Sequence, residues 1–366
     1  MKLDITEQML FALLRSALHA THADATIFAG ITSEAWQECY RLSVRQGVMA
    51  LAWDGLITLP TELQPPKSLK INWWLAVERC EKRYRYYCRV ISDLSTFYAT
   101  HGITAVQLKG VGFANNYPIP SHREGGDIDI FTYSSDSSGL SDREANSLAD
   151  KLMRGWGIEV DFSHSQKHSM FYYKGIPIEN HKKFLNTEIY RTAVSMDILL
   201  RKLLRPRLTV LDGKYEVLTP SPDFNTVFLA FHSAQHYALG FAMHHLCDWA
   251  CLLKKQGLKI PEGVTDERFL NMIYALTHLC NRYLGTEVLV MKGGEENLLK
   301  EMLHPTYNIN VPATGKWGIL VYKLKRMLHI HRLCDSVMRV SLVKWLWISV
   351  IQHVRFPQSI FRRTVS

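Results

Sequence analysis

Residues 106–133 read VQLKGVGFANNYPIPSHREGGDIDIFTY, and the reading of this stretch decides the fold. At its centre, GGDIDIF interleaves Asp127 and Asp129 with Ile128, Ile130 and Phe131. Isoleucine and phenylalanine at this density predict a strand, although Asp is a poor strand former. The alternation sets both carboxylates on one face and Ile128 and Ile130 on the other. Like charges about 6–7 Å apart on one strand face repel unless something positive lies between them.

The flanking residues carry further structure signals. ITAVQLKG (103–110) predicts a short strand ending in glycine, and VGFANNY a helical turn or short helix stopped at Tyr117-Pro118. PIPSHREGG is a loop. SDREANSLADKLMRG (141–155) predicts a helix with Ser141 as N-cap and Glu144 completing a capping box. GIEVDFS, HSMFYYKG and IPIENHKKF predict three strands, with Lys174-Gly175 as a tight turn. On the N-terminal side, residues 5–56 show helical spacing, PTELQPP is a loop, and a long helix spans roughly 68–99. From about residue 186 onward, helices are expected again. The expected class is α+β: a small mixed-sheet core (102–186) between helical regions 1–101 and 187–310, followed by a basic helical tail, 311–366.

Composition sets limits on function. With 47% hydrophobic and 21% charged residues in 366, the chain buries a sizeable core and is not disordered. Seven cysteines without short metal-type spacing point to free thiols in a reducing compartment. The N-terminus lacks a signal-peptide pattern and no run reaches the ~18 apolar residues of a membrane span, so a cytoplasmic location is expected. The net charge of +9 resides in the tail: from Lys316 to Ser366 there are ten Lys/Arg and one acid, which leaves 33 basic and 33 acidic residues elsewhere. The body is therefore neutral, which argues against nucleic-acid binding by it. For the tail, a helix packed on the body with a basic outer face is expected; the other reading is a weak contact with an anionic surface.

A lone Asp-x-Asp is most often a pair of exposed acids on a sheet edge. Here IPIENH adds Glu179 on a second predicted strand. If the strands are neighbours, three carboxylates converge, and such a cluster calls for a cation. Oxygen ligands suit Mg²⁺ or Mn²⁺.

The order Leu108-Lys109-Gly110, Tyr117-Pro118, Arg123, Asp127-Ile128-Asp129 and then IPIENH resembles the nucleotidyltransferase superfamily, and within it the bacterial uncharacterised nucleotidyltransferase group. The resemblance loosely extends to the helical N-terminus and to the LTPSPDF segment with the histidines and Asp248 beyond it. It implies that Asp127 and Asp129 are the catalytic metal-binding pair and Glu179 the third acid, a metal ligand or base. It further implies that Gly110 lies at the phosphate-facing turn, and that Lys109 and Arg123 meet a triphosphate. His181, two residues after Glu179, faces the same way and would belong to the nucleotide site, orienting an acceptor or acting as a base; a satisfied structural histidine is the other reading. The superfamily usually has a serine after its glycine; Val111 stands here, which leaves Lys109 as the substitute contact. The implied activity is metal-dependent transfer of a nucleoside monophosphate from an NTP to an unidentified acceptor, with release of pyrophosphate. Transfer of a phosphoalcohol from a nucleotide-activated donor, or nucleotide binding without turnover, are the alternatives.

FLAFHSAQHYALGFAMHHLCDWACLL (228–253) holds His232 and His236 four apart, then His244, His245 and Asp248. It is not HExxH, so packing or cleft-lining is expected of these histidines and no bound zinc.

Overall fold

The computed structural model describes residues 2–135, 139–162, 167–188, 190–238, 240–290, 295–305 and 315–355. The chain opens with three helices, α1 (Ile5–His19), α2 (Ser33–Arg45) and α3 (Met49–Leu56). Asp4 and Glu7 start α1 with a reciprocal capping box. The loop after α3 contains a 3-10 turn, Thr61–Leu63, and leads into the long helix α4 (Lys67–Ala99). This helix joins two cores. Leu69, Trp73 and Val77 pack into the helical cluster, while Tyr84, Cys88, Ile91, Leu94 and Tyr98 pack against the sheet.

The α/β unit follows as β1 (Ile103–Gln107), β2 (Ile128–Ser134), α5 (Asp142–Gly155), β3 (Val160–Asp161), β4 (His168–Tyr173) and β5 (Ile176–His181). The segment between β1 and β2 forms three short 3-10 turns rather than a helix. Ser141 and Glu144 make the expected capping box of α5. Lys174 and Gly175 both have positive φ, 50° and 78°, as a two-residue hairpin turn requires.

The sheet does not end at β5. After α6 (Arg191–Leu203), residues expected to be helical form a hairpin, β6 (Arg207–Leu211) and β7 (Tyr215–Thr219). Its turn is Asp212-Gly213, with φ of 48° and 68°. The full order is β3-β4-β5-β2-β1-β7-β6. β2 runs parallel to β5 and β1 parallel to β7; the other described neighbours are antiparallel. One sheet face, including Ile128, Ile130, Phe171 and Ile178, packs in the cluster of α4 and α5 residues. From the other face, Phe131 meets Phe184 at 4.3 Å between ring centroids, and Phe184 meets Phe224 at 4.9 Å. Phe224 begins the helical half: α7 (Pro222–His236), α8 (Met243–Gln256), α9 (Glu267–Leu279) with a π-helical turn after it, and α10 (Glu295–Leu303).

The tail forms α11 (Gly315–Val337) and α12 (Leu342–Arg355); its residues 311–314 and 356–366 lie outside the described residues. It docks through Ile330, Cys334, Met338 and Val340. The outward side is not simply basic as expected: Trp317, Leu324, Val343, Trp347, Val350 and Val354 are exposed on it. Among the described residues no helix is long and apolar enough to cross a membrane.

The loop ahead of β2 is fastened to the helical half by polar contacts. Buried His122 lies between two acids, with Nδ1 at 2.8 and 2.9 Å from the Asp54 carboxylate and Nε2 at 3.1 Å from Glu81. Ala50 N–H donates to Glu124, and the Tyr87 hydroxyl donates to the Gly126 carbonyl, both at 3.1 Å. Burial alone would lower the His122 pKa, but Asp54 and Glu81 more than offset it and raise it above 6.5. A raised folded-state pKa contributes stability that is complete below the unfolded pKa and lost as pH rises through the folded one. His122→Gln should therefore cost about 2 kcal/mol in urea unfolding at about pH 6, with the deficit shrinking as pH rises through the window above 6.5. A deficit that does not change with pH would show that the charge on His122 contributes nothing.

Candidate active site

The parallel pairing of β2 and β5 sets Asp129 directly beside Glu179. Paired residues on neighbouring strands point to the same face, so the two carboxylates emerge together. Asp127 sits just ahead of β2 and joins them: one oxygen from each of Asp127, Asp129 and Glu179 lies within 4.8 Å of the other two. The hairpin across Lys174-Gly175 pairs His168 with His181, which adds two imidazoles to this face. His181 Nε2–H donates to Asp129 Oδ1 at 2.9 Å and lies 3.3 Å from Glu179 Oε2. His168 Nδ1 is 3.2 Å from the same Glu179 oxygen.

Asp129 has no exposed surface. Its Oδ2 lies 3.1 Å from Lys109 Nζ, a charge contact, yet this oxygen has no well-directed hydrogen bond. Burial pushes the Asp129 carboxyl up, but Lys109 and His181 more than offset it and hold it far below the usual carboxylate range. Glu179 behaves similarly: burial raises it, and the hydrogen bond from His181 brings it below its ordinary value. Asp127 goes the other way, because burial and the neighbouring Asp129 charge both push it up and Lys109 compensates only in part. Burial lowers Lys109, and Asp129 and Asp127 more than restore its charge. Burial pushes His168 down to about 4. The arrangement fits a hard divalent cation on two counts: oxygen donors converge, and Asp129 Oδ2 is buried without a hydrogen bond.

Beside the carboxylates is a cavity of about 300 Å³ lined by Lys109, Gly110, Arg123, Gly126, Asp127 and His232 among others. Gly110 has φ +64°, a conformation that favours glycine, and a Cβ there would lie 3.4 Å from the Asp127 carbonyl oxygen. The sequence reading assigned both Lys109 and Arg123 to a triphosphate, and both line this cavity. Arg123, however, is bound to Asp248, with Nε donating to Oδ1 at 2.9 Å and Nη2 to Oδ2 at 2.7 Å. The Tyr117 hydroxyl donates to Asp248 Oδ1 at 2.7 Å. This buried group ties the loop to α8 and neutralises the guanidinium, while Lys109 and Lys167 are the lysines whose charge lowers the Asp129 pKa. Arg83, which the sequence reading did not single out, also lines the cavity.

The histidine-rich segment borders the same space. His232 and His236 end α7, and His244 and His245 begin α8. Burial pushes His236 down to about 4 and His232 and His245 well below the usual imidazole range, with Lys109 adding to each shift.

Residues 32–285 match a protein family described as uncharacterised nucleotidyltransferase. A crystal structure of an antigenic nucleotidyltransferase-like protein from Paracoccidioides brasiliensis is similar over 56% of this chain and 94% of that one, at 12% identity and a TM-score of 0.37. No curated protein matches the sequence. With more than half of its length matched, and with the carboxylates, Lys109 and Gly110 all inside that span, the chain belongs to the uncharacterised nucleotidyltransferase family.

Proposed function

We propose that the protein transfers a nucleoside monophosphate from an NTP to an acceptor and releases pyrophosphate. The observation that carries this reading is the convergence of Asp127, Asp129 and Glu179, with Asp127 and the Lys109-Gly110 turn lining one cavity. In the reaction, an acceptor hydroxyl oxygen bonds to the α-phosphorus and gives up its proton to water as the bond to the α–β bridging oxygen breaks, and the electron pair leaves with pyrophosphate. Mg²⁺ or Mn²⁺, held by Asp127, Asp129 and Glu179, would neutralise charge on the triphosphate. Lys109, now beside Asp129, would supply an ammonium to the phosphates. Gly110 lets the backbone approach them. Glu179 would serve as the third acid, a metal ligand or base beside Asp127 and Asp129. His181 orients Asp129 and Glu179 through Nε2. The pairing of Arg123 with Asp248 makes it a positioning residue for the loop instead of a phosphate contact.

The test is incubation with each NTP, labelled at the α- or γ-phosphate, with Mg²⁺ and cell extract as the acceptor source. Metal-dependent pyrophosphate release with α-label in a product supports the reading. Transfer of γ-label would make the protein a kinase, and binding without turnover would make it a nucleotide-binding protein only.

Two substitutions separate structure from chemistry. Asp127→Asn and Asp129→Asn should each reduce transfer at least about 100-fold. Asp127→Asn should leave thermal stability unchanged or raise it, because the folded state disfavours that charge. Asp129→Asn should cost about 3 kcal/mol, because it leaves Lys109 and His181 without their buried partner. Equal melting behaviour of the two variants would contradict this account of the site's charge.

For the tail, the exposed apolar side chains of α11 and α12 together with their lysines and arginines favour contact with an anionic surface. The full chain should co-sediment with vesicles containing acidic lipid at low salt and dissociate as salt rises. No sedimentation at low salt would remove this contact.

A further inference from the structure

Three imidazoles meet at the junction of α7 and α8. His232 and His236 are four residues apart on α7 and leave the same face. His245 comes from the first turn of α8. One ring nitrogen from each lies within 4.8 Å of the other two. The ring centroids are 4.5, 5.1 and 4.9 Å apart for the pairs 232–236, 232–245 and 236–245.

A second, independent observation concerns His245. It is 4% exposed, and its Nε2 is buried with no hydrogen-bond partner. A nitrogen left so is costly unless something fills its place. Its other nitrogen lies 3.3 Å from the Ala242 carbonyl oxygen. The same Nδ1 is also 3.2 Å from the Ala242 N–H, so two tautomers fit here; the one in which Nδ1–H donates to the carbonyl has a lone pair on Nε2. Metal-binding histidines are commonly held this way, with the second nitrogen on a backbone carbonyl.

We infer that His232, His236 and His245 bind one divalent transition-metal ion of the zinc type, at a site separate from the carboxylate cluster. Imidazole nitrogen suits such an ion, and three histidines leave a fourth position open for water or a ligand group. The carboxylate cluster, with oxygen donors, suits harder ions. Of the three cations that line the adjoining cavity, Arg83, Lys109 and Arg123, the last two are each paired with an aspartate, which limits their repulsion of a dication. This departs from the sequence expectation of packing or cleft-lining without zinc. The spacing of His232 and His236 supplies two ligands, and the third arrives only when α8 folds back on α7. The inference does not depend on the transfer reaction proposed above.

The test uses the full chain, stripped with chelator and titrated with Zn²⁺ in competition with a chromophoric chelator. One equivalent should bind tightly. His236→Ala, at a half-buried position, should weaken binding by more than about 100-fold, beyond the cost of losing an outer-shell partner. His168→Ala should retain the ion, because His168, Glu179 and His181 form a different cluster. Zn²⁺ should also raise the melting temperature of the wild type and not that of His236→Ala, a readout available for any variant that folds. Absence of stoichiometric binding would overturn the inference, as would zinc retained by His236→Ala and lost in His168→Ala.

Discussion

The buried carboxylate of Asp129 sits in the middle of the sheet, one strand away from β1 and one from β5, with no surface in contact with solvent. Removing an ion from water costs several kcal/mol even after the protein relaxes. Two donors contact its oxygens here, and Lys167 adds positive charge nearby. His181 reaches one oxygen from the neighbouring strand, and Lys109 reaches the other from the turn after β1. Much of the site follows from this constraint. The turn must bring Lys109 back over β2, which Gly110 permits with its positive φ. β5 must lie parallel to β2 in the register that sets Glu179 and His181 on the same face.

The same arrangement leaves Asp127 under-compensated. It is raised by burial and by the Asp129 charge, with Lys109 shared between the two. Lys109 and Lys167, the latter with its pKa lowered by burial, face three carboxylates, an arrangement that favours an additional cation. The other basic group of the loop, Arg123, is used structurally: Asp248 and Tyr117 hold it against α8. His122 performs a parallel task further back, between Asp54 and Glu81. The loop that carries Gly126 and Asp127 into the cavity is thus positioned by ion pairs to helices far away in sequence.

How much of this was legible in the sequence follows from how local each signal is. The alternation in Asp127–Phe131 predicted β2, and the Ser141–Glu144 box predicted the start of α5, because both are set by neighbours within a few residues. The pairing of His168 with His181 was within reach: counting back from the Lys174-Gly175 turn gives it, yet His168 was not singled out. The β6–β7 hairpin was missed although Asp212-Gly213 signals a turn, because its strands are short and lie among helical segments. The partner of Arg123 could not be read, since Asp248 lies 125 residues away and only helix packing joins them. The same holds for the meeting of His245 with His232 and His236. The outward face of the tail was misjudged because charge count says nothing about which side of a helix packs.

The central claim is that Asp127, Asp129 and Glu179 hold a divalent cation against the phosphates of an NTP. Crystals of the full chain grown with Mn²⁺ and a non-hydrolysable NTP test it through anomalous diffraction at the manganese edge. The account predicts a peak within about 2.5 Å of carboxylate oxygens of Asp127 and Asp129, the triphosphate along the Lys109-Gly110 turn, and Lys109 turned from Asp129 to phosphate. Nucleotide bound in the cavity with no manganese at these carboxylates, and Lys109 still paired with Asp129, would contradict it.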